Sequence, residues 1–419
     1  MLLSVRLSAC LRVLLLAALI PSAFAQSTIT WSFWGDPAEL PPNDEVIAAF
    51  EAAHPDITVE TQHAPYSTYF DRLQTQMAGG TAPDVMFINN VPSYAARGVL
   101  EPLDSYIDAS GFSAGDFYPD LQRIFSYEDQ TYGFARDNDT TVLYYNQDLF
   151  DDAGQAYPDD SWDWDKLKEV AAALTTKDGR GRTVQYGLGL EKNKYPLWVY
   201  QNGGTVVDDA VEATAFTMDE PAAVDALQFV ADLILKDGSV PSFDAMQQLG
   251  DTTQLFSTGR VAMVMTNAAR IPTFMDAPFS WNVAPLPTGP EGVRANTAGG
   301  AGYVMSSSSD NKDAAWTFLQ FLCGPEGQAI FAKTGLAVPA LNSPEANEAF
   351  LSALPETVDG QVFIDETANG VLFPVFPGWA EIESTIVVPG LDLVWNGEQT
   401  ASEAVAAMVE PVDAAFAAE

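Results

Sequence analysis

Four polar residues, Arg136, Asp137, Asn138 and Asp139, interrupt an otherwise apolar and aromatic stretch over residues 132–150. The flanking runs 132–135 and 142–145 carry the β-branched and aromatic content of strands. A chain that passes from one packed body to another, with polar groups facing the gap, accounts for the interruption. Similar residues gather where other apolar runs end. Trp34 and Asp36 follow the run 29–34, and Asn89 and Asn90 follow 85–88. Glu191 ends 186–190, with Tyr195 and Trp198 just beyond it, and Asn267 and Arg270 follow 261–265. Gly299 and Gly300 in the Gly-rich segment 296–302, and Trp379 near the C terminus, complete the candidate set. The carboxylates, amides and guanidinium each offer several hydrogen-bonding positions in one plane, and the aromatics offer flat apolar faces with polar edges. Sugars suit both, because their C–H patches pack on rings while their hydroxyls pair with planar groups. Taken singly, each aromatic is also an ordinary core residue and each polar group an ordinary turn or cap. Their shared position at strand exits is what singles them out.

Covalent chemistry finds weaker support. Ser309-Asp310-Asn311-Lys312 and Lys333-Thr334-Gly335 imitate the elements of serine β-lactamases, but one serine would have to serve two motifs, and the second closes an apolar helix. No G-x-S-x-G occurs, and Gly299-Gly300-Ala301-Gly302 lacks the Lys-Ser/Thr of a phosphate loop and the full dinucleotide fingerprint. His54 and His63, the two histidines, have no zinc spacing around them, so no metal and no cofactor is expected. A glycosidase needs only two facing carboxylates, and Asp36, Asp137, Asp139 and Glu191 supply candidates. With 57 acidic residues in the chain, chance pairs are expected in any cleft.

The elements that must position these residues alternate. Strands at 29–34, 57–60 and 85–88 are separated by helices whose inward faces are Val46, Ile47 and Phe50, then Tyr69, Leu73 and Met77. The second body has an amphipathic helix starting at Ser161 or Asp163, a strand at 186–190, a long helix at 221–236 and a strand at 261–265. This alternation predicts an α/β protein of two lobes, each a mostly parallel sheet covered by helices. In such sheets ligands bind beyond the carboxyl ends of the strands. Further crossings between the lobes are expected at 281–287 and 335–340. A strand at 303–305, the apolar helix 314–322 and a final Ala-rich helix follow.

At 419 residues the chain outgrows one core, and 47% hydrophobic content with 11% aromatics argues against disorder. Residues 1–25 read as a signal peptide, with Arg6 and Arg12 before a short apolar core and Ala23-Phe24-Ala25 as cleavage signature. Cleavage before Gln26 predicts a periplasmic protein without a lipidated cysteine, because Cys10 lies far from the cut. It leaves Cys323 alone, so no internal disulfide forms and the thiol is expected to serve packing. The formal net charge of −38 deepens by two when Arg6 and Arg12 leave, which excludes nucleic acid and anionic lipid as partners.

The order and spacing of several short segments resemble the extracellular solute-binding proteins of ABC importers, the maltose-binding-like family 1. They are Phe50-Glu51-Ala52-Ala53-His54-Pro55-Asp56-Ile57, Ala78-Gly79-Gly80-Thr81-Ala82-Pro83-Asp84-Val85, Tyr144-Tyr145-Asn146-Gln147-Asp148-Leu149-Phe150, Asn202-Gly203-Gly204, Phe256-Ser257-Thr258-Gly259-Arg260-Val261-Ala262-Met263 and Gly324-Pro325-Glu326-Gly327-Gln328. The resemblance implies two α/β lobes joined by three crossings, one of residues 26–136 with 288–335 and the other of 137–287 with 336–419. It also implies hinged closure on a sugar and delivery to a membrane permease by a monomer that does no chemistry. Asp36, Asp139 and Glu191 match the family's acidic sugar contacts, and Trp379 its C-terminal platform. Ile88 and Arg270 stand where maltose-binding members carry stacking tryptophans, which points to a different sugar. Arg270 also leaves open a phosphorylated or acidic solute such as a glycerol phosphodiester. The alternative from another class is a secreted glycosidase.

Overall fold

A computed structural model describes residues 26–35, 40–113 and 117–417. The expected signal peptide and Asp36 lie outside these residues. The chain begins with β1 (Ser27–Trp34), β2 (Ile57–Ala64) and β3 (Val85–Ile88), separated by helices Leu40–Ala53 and Tyr66–Ala78. β4 (Gly133–Ala135) precedes the first crossing, and β5 (Thr141–Asn146) opens the second lobe. β6 (Thr176–Lys177), β7 (Thr183–Gly189), β8 (Val261–Asn267) and β9 (Trp281–Ala284) follow within that lobe. β10 (Asn296–Ala298) and β11 (Gly302–Met305) bring the chain back.

The first sheet has the order β2-β1-β3-β11-β4 and the second β9-β5-β8-β7-β6. β1 pairs parallel with β2 and β3, whereas β11 is antiparallel to β3 and β4. In the second sheet β7 and β8 are parallel, and β5 is antiparallel to β8 and β9. The sheets are therefore more mixed than the alternation of elements predicts. The exceptions have a common origin: β5 and β11 each enter a sheet from a crossing. That edge is where the parallel strands leave, so an arriving strand must run the other way. β6 is a hairpin partner of β7.

Each lobe has its own core. Trp31, Phe50, Phe87, Phe134, Tyr303 and Phe318 pack the first. Cys323 is buried there, and burial pushes its thiol well above the ordinary value. Along β5 the side chains alternate with the period of a strand. Leu143 and Tyr145 enter a core with Leu167, Leu227, Met263 and Trp395. Val142 and Tyr144 enter another with Phe256, Phe350 and Phe363 on the opposite face. Among the described residues no helix is long and apolar enough to cross a membrane.

Two boundaries differ from expectation. The segment 281–284, expected as a crossing, is strand β9 at the edge of the second sheet. The chain stays with that lobe through Thr288, whose amide donates to Trp162 O at 2.9 Å, and Ala295, whose carbonyl accepts from Gln201 at 3.1 Å. Trp281 and Val283 are buried against β5, and this burial outweighs the turn signal of Pro285 and Pro287. Similarly the third passage is longer than 335–340: Ala332 and Val338 already pack with the second lobe, Ala340 and Leu341 still pack in the first core, and helix Pro344–Ala353 follows in the second. An arm of the second lobe also reaches across. Val211 is buried in the first core, Arg123 grips the Asp209 carboxylate at 2.8 and 3.0 Å, and Val375 N donates to Ala210 O at 2.7 Å.

Helix Trp164–Ala173 lies so close to β7 that a Cβ on Gly187 would stand 1.9 Å from Ala171 O. Since β7 carries Glu191 to the cleft, this contact sets one wall of the site. Gly187→Ala must push the helix outward and is expected to destabilise the protein by about 1–3 kcal/mol or more. Urea denaturation should show a lower midpoint, and an unchanged midpoint would mean that the helix yields freely.

Candidate functional site

The cleft lies where β1, β3, β7 and β8 end and the crossings pass. Its first-lobe wall is aromatic. The Trp34 ring stacks on Phe87 at 4.2 Å and 29°, is held edgewise by Tyr66 and Tyr69 at 5.6 and 5.4 Å, and meets the tilted Phe70 ring at 5.3 Å. Trp34 remains partly exposed, and Tyr66 beside it is 57% exposed, a high value for so large a ring. Behind Phe87 the Arg136 guanidinium packs on that ring at 4.1 Å and donates Nε to Asp137 Oδ2 at 2.7 Å. Asp137 Oδ1 accepts from Ala301 N at 3.1 Å. Arg136 and Asp137 thus pair with each other and with the hinge backbone.

The opposite wall is polar. Asp139 accepts a very short hydrogen bond from Asn267 Nδ2, and its other oxygen lies 3.4 Å from Lys194 Nζ. Lys194 is buried and also donates to Thr141 Oγ1 at 3.2 Å. A buried ammonium needs such partners, so Lys194 and Asn267 together orient the Asp139 carboxylate while leaving it half-exposed. Glu191 is tied at one oxygen by Thr266 Oγ1 at 2.8 Å, and its other oxygen has no partner among the described residues. Arg270 is exposed and forms no ion pair among the described residues.

Two adjoining cavities make up the cleft. One, of about 580 Å³, is lined by Trp34, Tyr66, Asp139, Glu191, Asn193, Lys194, Asn267 and Arg270. The other, of about 380 Å³, shares Trp34 and Asp139 and adds Asn89, Gly299, Gly300 and Phe373. At its floor the crossings touch. Asp139 N donates to Gly299 O at 2.6 Å, and a Cβ on Gly300 would lie 2.2 Å from Asp137 O. Only glycine allows the strands this approach.

Of the residues singled out in the sequence, Trp34, Asn89, Asp139, Glu191, Asn267, Arg270, Gly299 and Gly300 line this cleft. Others sit elsewhere. Asn90 caps the helix Val91–Ala95 by accepting from Ser93 N. Trp198 packs between Trp164 and Phe229 inside the second lobe. Tyr195 and Trp379 are buried in the same core, Tyr195 donating to Glu383 Oε1 at 3.2 Å and Trp379 packing on Phe376. Ile88 is fully buried in the first core. The structure adds Tyr66, Asn193, Lys194 and Phe373. Lys194 carried a signal, since lysine is scarce in this acidic chain and two flank Asn193 directly after Glu191. Tyr66 carried none beyond a short spacing to Tyr69 and Phe70.

No group of acidic, histidine or cysteine residues suited to a metal ion occurs among the described residues. The arrangement sets a partly open ring face beside planar hydrogen-bonding groups in one cavity. A sequence profile described as bacterial extracellular solute-binding protein matches residues 38–329. The lactose-binding protein of Rhizobium radiobacter is 26% identical over 362 residues, spanning 80% of each chain. An ABC substrate-binding protein of Listeria monocytogenes, solved in complex with cycloalternan, is similar at a TM-score of 0.82 and 28% identity, over 94% of this chain and 99% of that one. An ABC transporter solute-binding protein of Thermotoga lettingae, bound to α-D-tagatose, follows with a TM-score of 0.76 and 26% identity, over 93% and 100%.

Burial raises the pKa of Glu383 above its ordinary 4.5, and the hydrogen bond from Tyr195 offsets this only in part. The stability this group contributes is therefore whole below about pH 4.5 and is lost as pH rises through the raised value. Glu383→Gln keeps an acceptor for Tyr195 and never ionises. Thermal melts should show the variant more stable than the parent near pH 7, with the difference closing in acid. A variant less stable at neutral pH would mean that the charge itself holds the lobe together.

Proposed function

This chain belongs to the bacterial extracellular solute-binding protein family, and from that premise we propose that it is the carbohydrate-binding component of an ABC importer. The observation that carries this reading is the composition of the cleft. Trp34 is pre-stacked on Phe87 and leaves ring surface open in the cavity it shares with Asp139, half-exposed between Asn267 and Lys194, and Glu191, anchored at one oxygen only. Packing of sugar C–H groups on Trp34 and Tyr66, with hydroxyls on Asp139, Glu191, Asn193 and Asn267, uses every one of these groups without bond-breaking. Relatives named for lactose and galactooligosaccharides, and structures holding cycloalternan and tagatose, support the ligand class.

The lobes close on the ligand about the crossings. Closure follows only if the sugar binds the closed form better than the open one, and walls contributed by both lobes meet that condition. The closed form is the one a permease reads. The protein is exported to the periplasm through cleavage before Gln26, acts as a monomer, and is not an enzyme.

Arg270 favours a second reading. It is a cation at the cleft with no ion-pair partner among the described residues, and it suits a ligand carrying carboxylate or phosphate. Arg270→Ala distinguishes the two, since an anionic ligand loses most of its affinity and a neutral sugar little.

Titration calorimetry with a panel of mono- and oligosaccharides should find saturable binding, with the sugar recovered unchanged. Trp34→Ala should weaken it at least about tenfold, or about 1.4 kcal/mol, without altering the circular dichroism spectrum. Turnover of any panel member would make the protein a glycosidase and overturn the proposal.

A further inference from the structure

Beyond Glu191 the second lobe holds a further cavity of about 590 Å³. Glu191 lines both it and the cleft, so the two spaces adjoin at that carboxylate. The cavity's construction repeats that of the cleft. Phe243, partly exposed, is steadied edgewise by Trp395 at 6.0 Å and 71°, and with Met246 it supplies an apolar wall. Asp244 and Asn396 are exposed planar groups whose side chains have no hydrogen-bond partner among the described residues. Lys192 pairs with Asp392, joining the segment after β7 to helix Val388–Trp395 and closing one side.

The floor is held by a conformation that only glycine adopts. Gly250 has φ 106° and ψ 163°, and a Cβ there would stand 2.3 Å from the Gln254 side chain. This turn ends helix Phe243–Leu249 and places Asp251 to cap the next helix through Gln254 N at 2.8 Å. The wall residues are thus set by backbone geometry on two helices and a strand exit.

We infer that this annex is a continuation of the carbohydrate site, so that the preferred ligand is an oligosaccharide whose chain runs past Glu191 and stacks a remote unit on Phe243. The inference rests on the carbohydrate reading of the cleft. It adds that length is selected, and that Phe243 and Asp244 determine it. A monosaccharide bound between Trp34 and Asp139 would leave the annex to water. A longer chain adds an aromatic contact and paired hydrogen bonds in a space of the size that small-molecule sites use.

The test is titration of the full-length protein with malto-, galacto- and arabino-oligosaccharides, each from the monosaccharide to the pentasaccharide. In the series that binds, affinity should rise at least about tenfold from the shortest bound member to longer ones. Phe243→Ala should reduce that rise to less than about threefold while leaving the shortest member's affinity nearly unchanged. Asp244→Ala, at an exposed position where folding is not at stake, should reduce the rise in the same direction. Affinity independent of length, or variants that weaken short and long sugars equally, would overturn the annex and leave the cleft reading intact. If no series binds, the carbohydrate reading falls and the annex with it.

Discussion

The two lobes meet along a seam of backbone that everything at the cleft depends on. Residues 136–141 run against 296–301, with Arg136 N donating to Ala301 O at 2.8 Å, Asp139 N to Gly299 O at 2.6 Å and Thr141 N to Asn296 Oδ1 at 2.9 Å. Asn296 is fully buried and also donates to Thr141 O and to Glu366, so its amide is satisfied on both sides. A buried network of this kind is costly to leave half-made. It therefore holds the two crossings in one register. Because the Asp139 backbone and the Gly299-Gly300 pair belong to the seam itself, the seam sets the floor of the cleft.

The walls are set differently. Trp34 is positioned by rings of its own lobe, and its orientation does not require a ligand. Asp139 and Glu191 are each anchored at one oxygen by residues of β8, Asn267 and Thr266, so the polar wall moves as one body with the second sheet. Binding of this kind loses little to side-chain ordering. The arm around Val211 leans on the first lobe through Arg123 and Asp209. It ties the lobes together at a second place, through an exposed ion pair that is weak enough to yield.

Much of this was legible in the sequence, for identifiable reasons. Strands β3 and β8 carry apolar runs with polar residues soon after them, so Asn89, Asn267 and Arg270 could be placed at strand ends from spacing alone, while Trp34 closes β1 and Asp139 stands in the polar break between two apolar runs. Whether an aromatic faces the cleft or the core is a tertiary matter. Trp198 sits one helical turn from Tyr195, and both are drawn inward because the helix Tyr195–Gln201 is buried on nearly every side. Trp379 goes inward for the same reason, beneath the final helices. Lys194 and Tyr66 were missed because their roles come from partners distant in the chain, Asp139 and Trp34. The late crossing after Ala295 was hidden by prolines that end strand β9 rather than mark the passage between lobes.

The central claim is that ligand binding closes two preformed walls about one seam, with no bond made or broken. Small-angle X-ray scattering of the protein, alone and saturated with a sugar that calorimetry shows to bind, tests it most directly. The account predicts a smaller radius of gyration with sugar bound and a return to the larger value when the sugar is dialysed away intact. An unchanged radius at saturation, or sugar recovered in cleaved form, would contradict it.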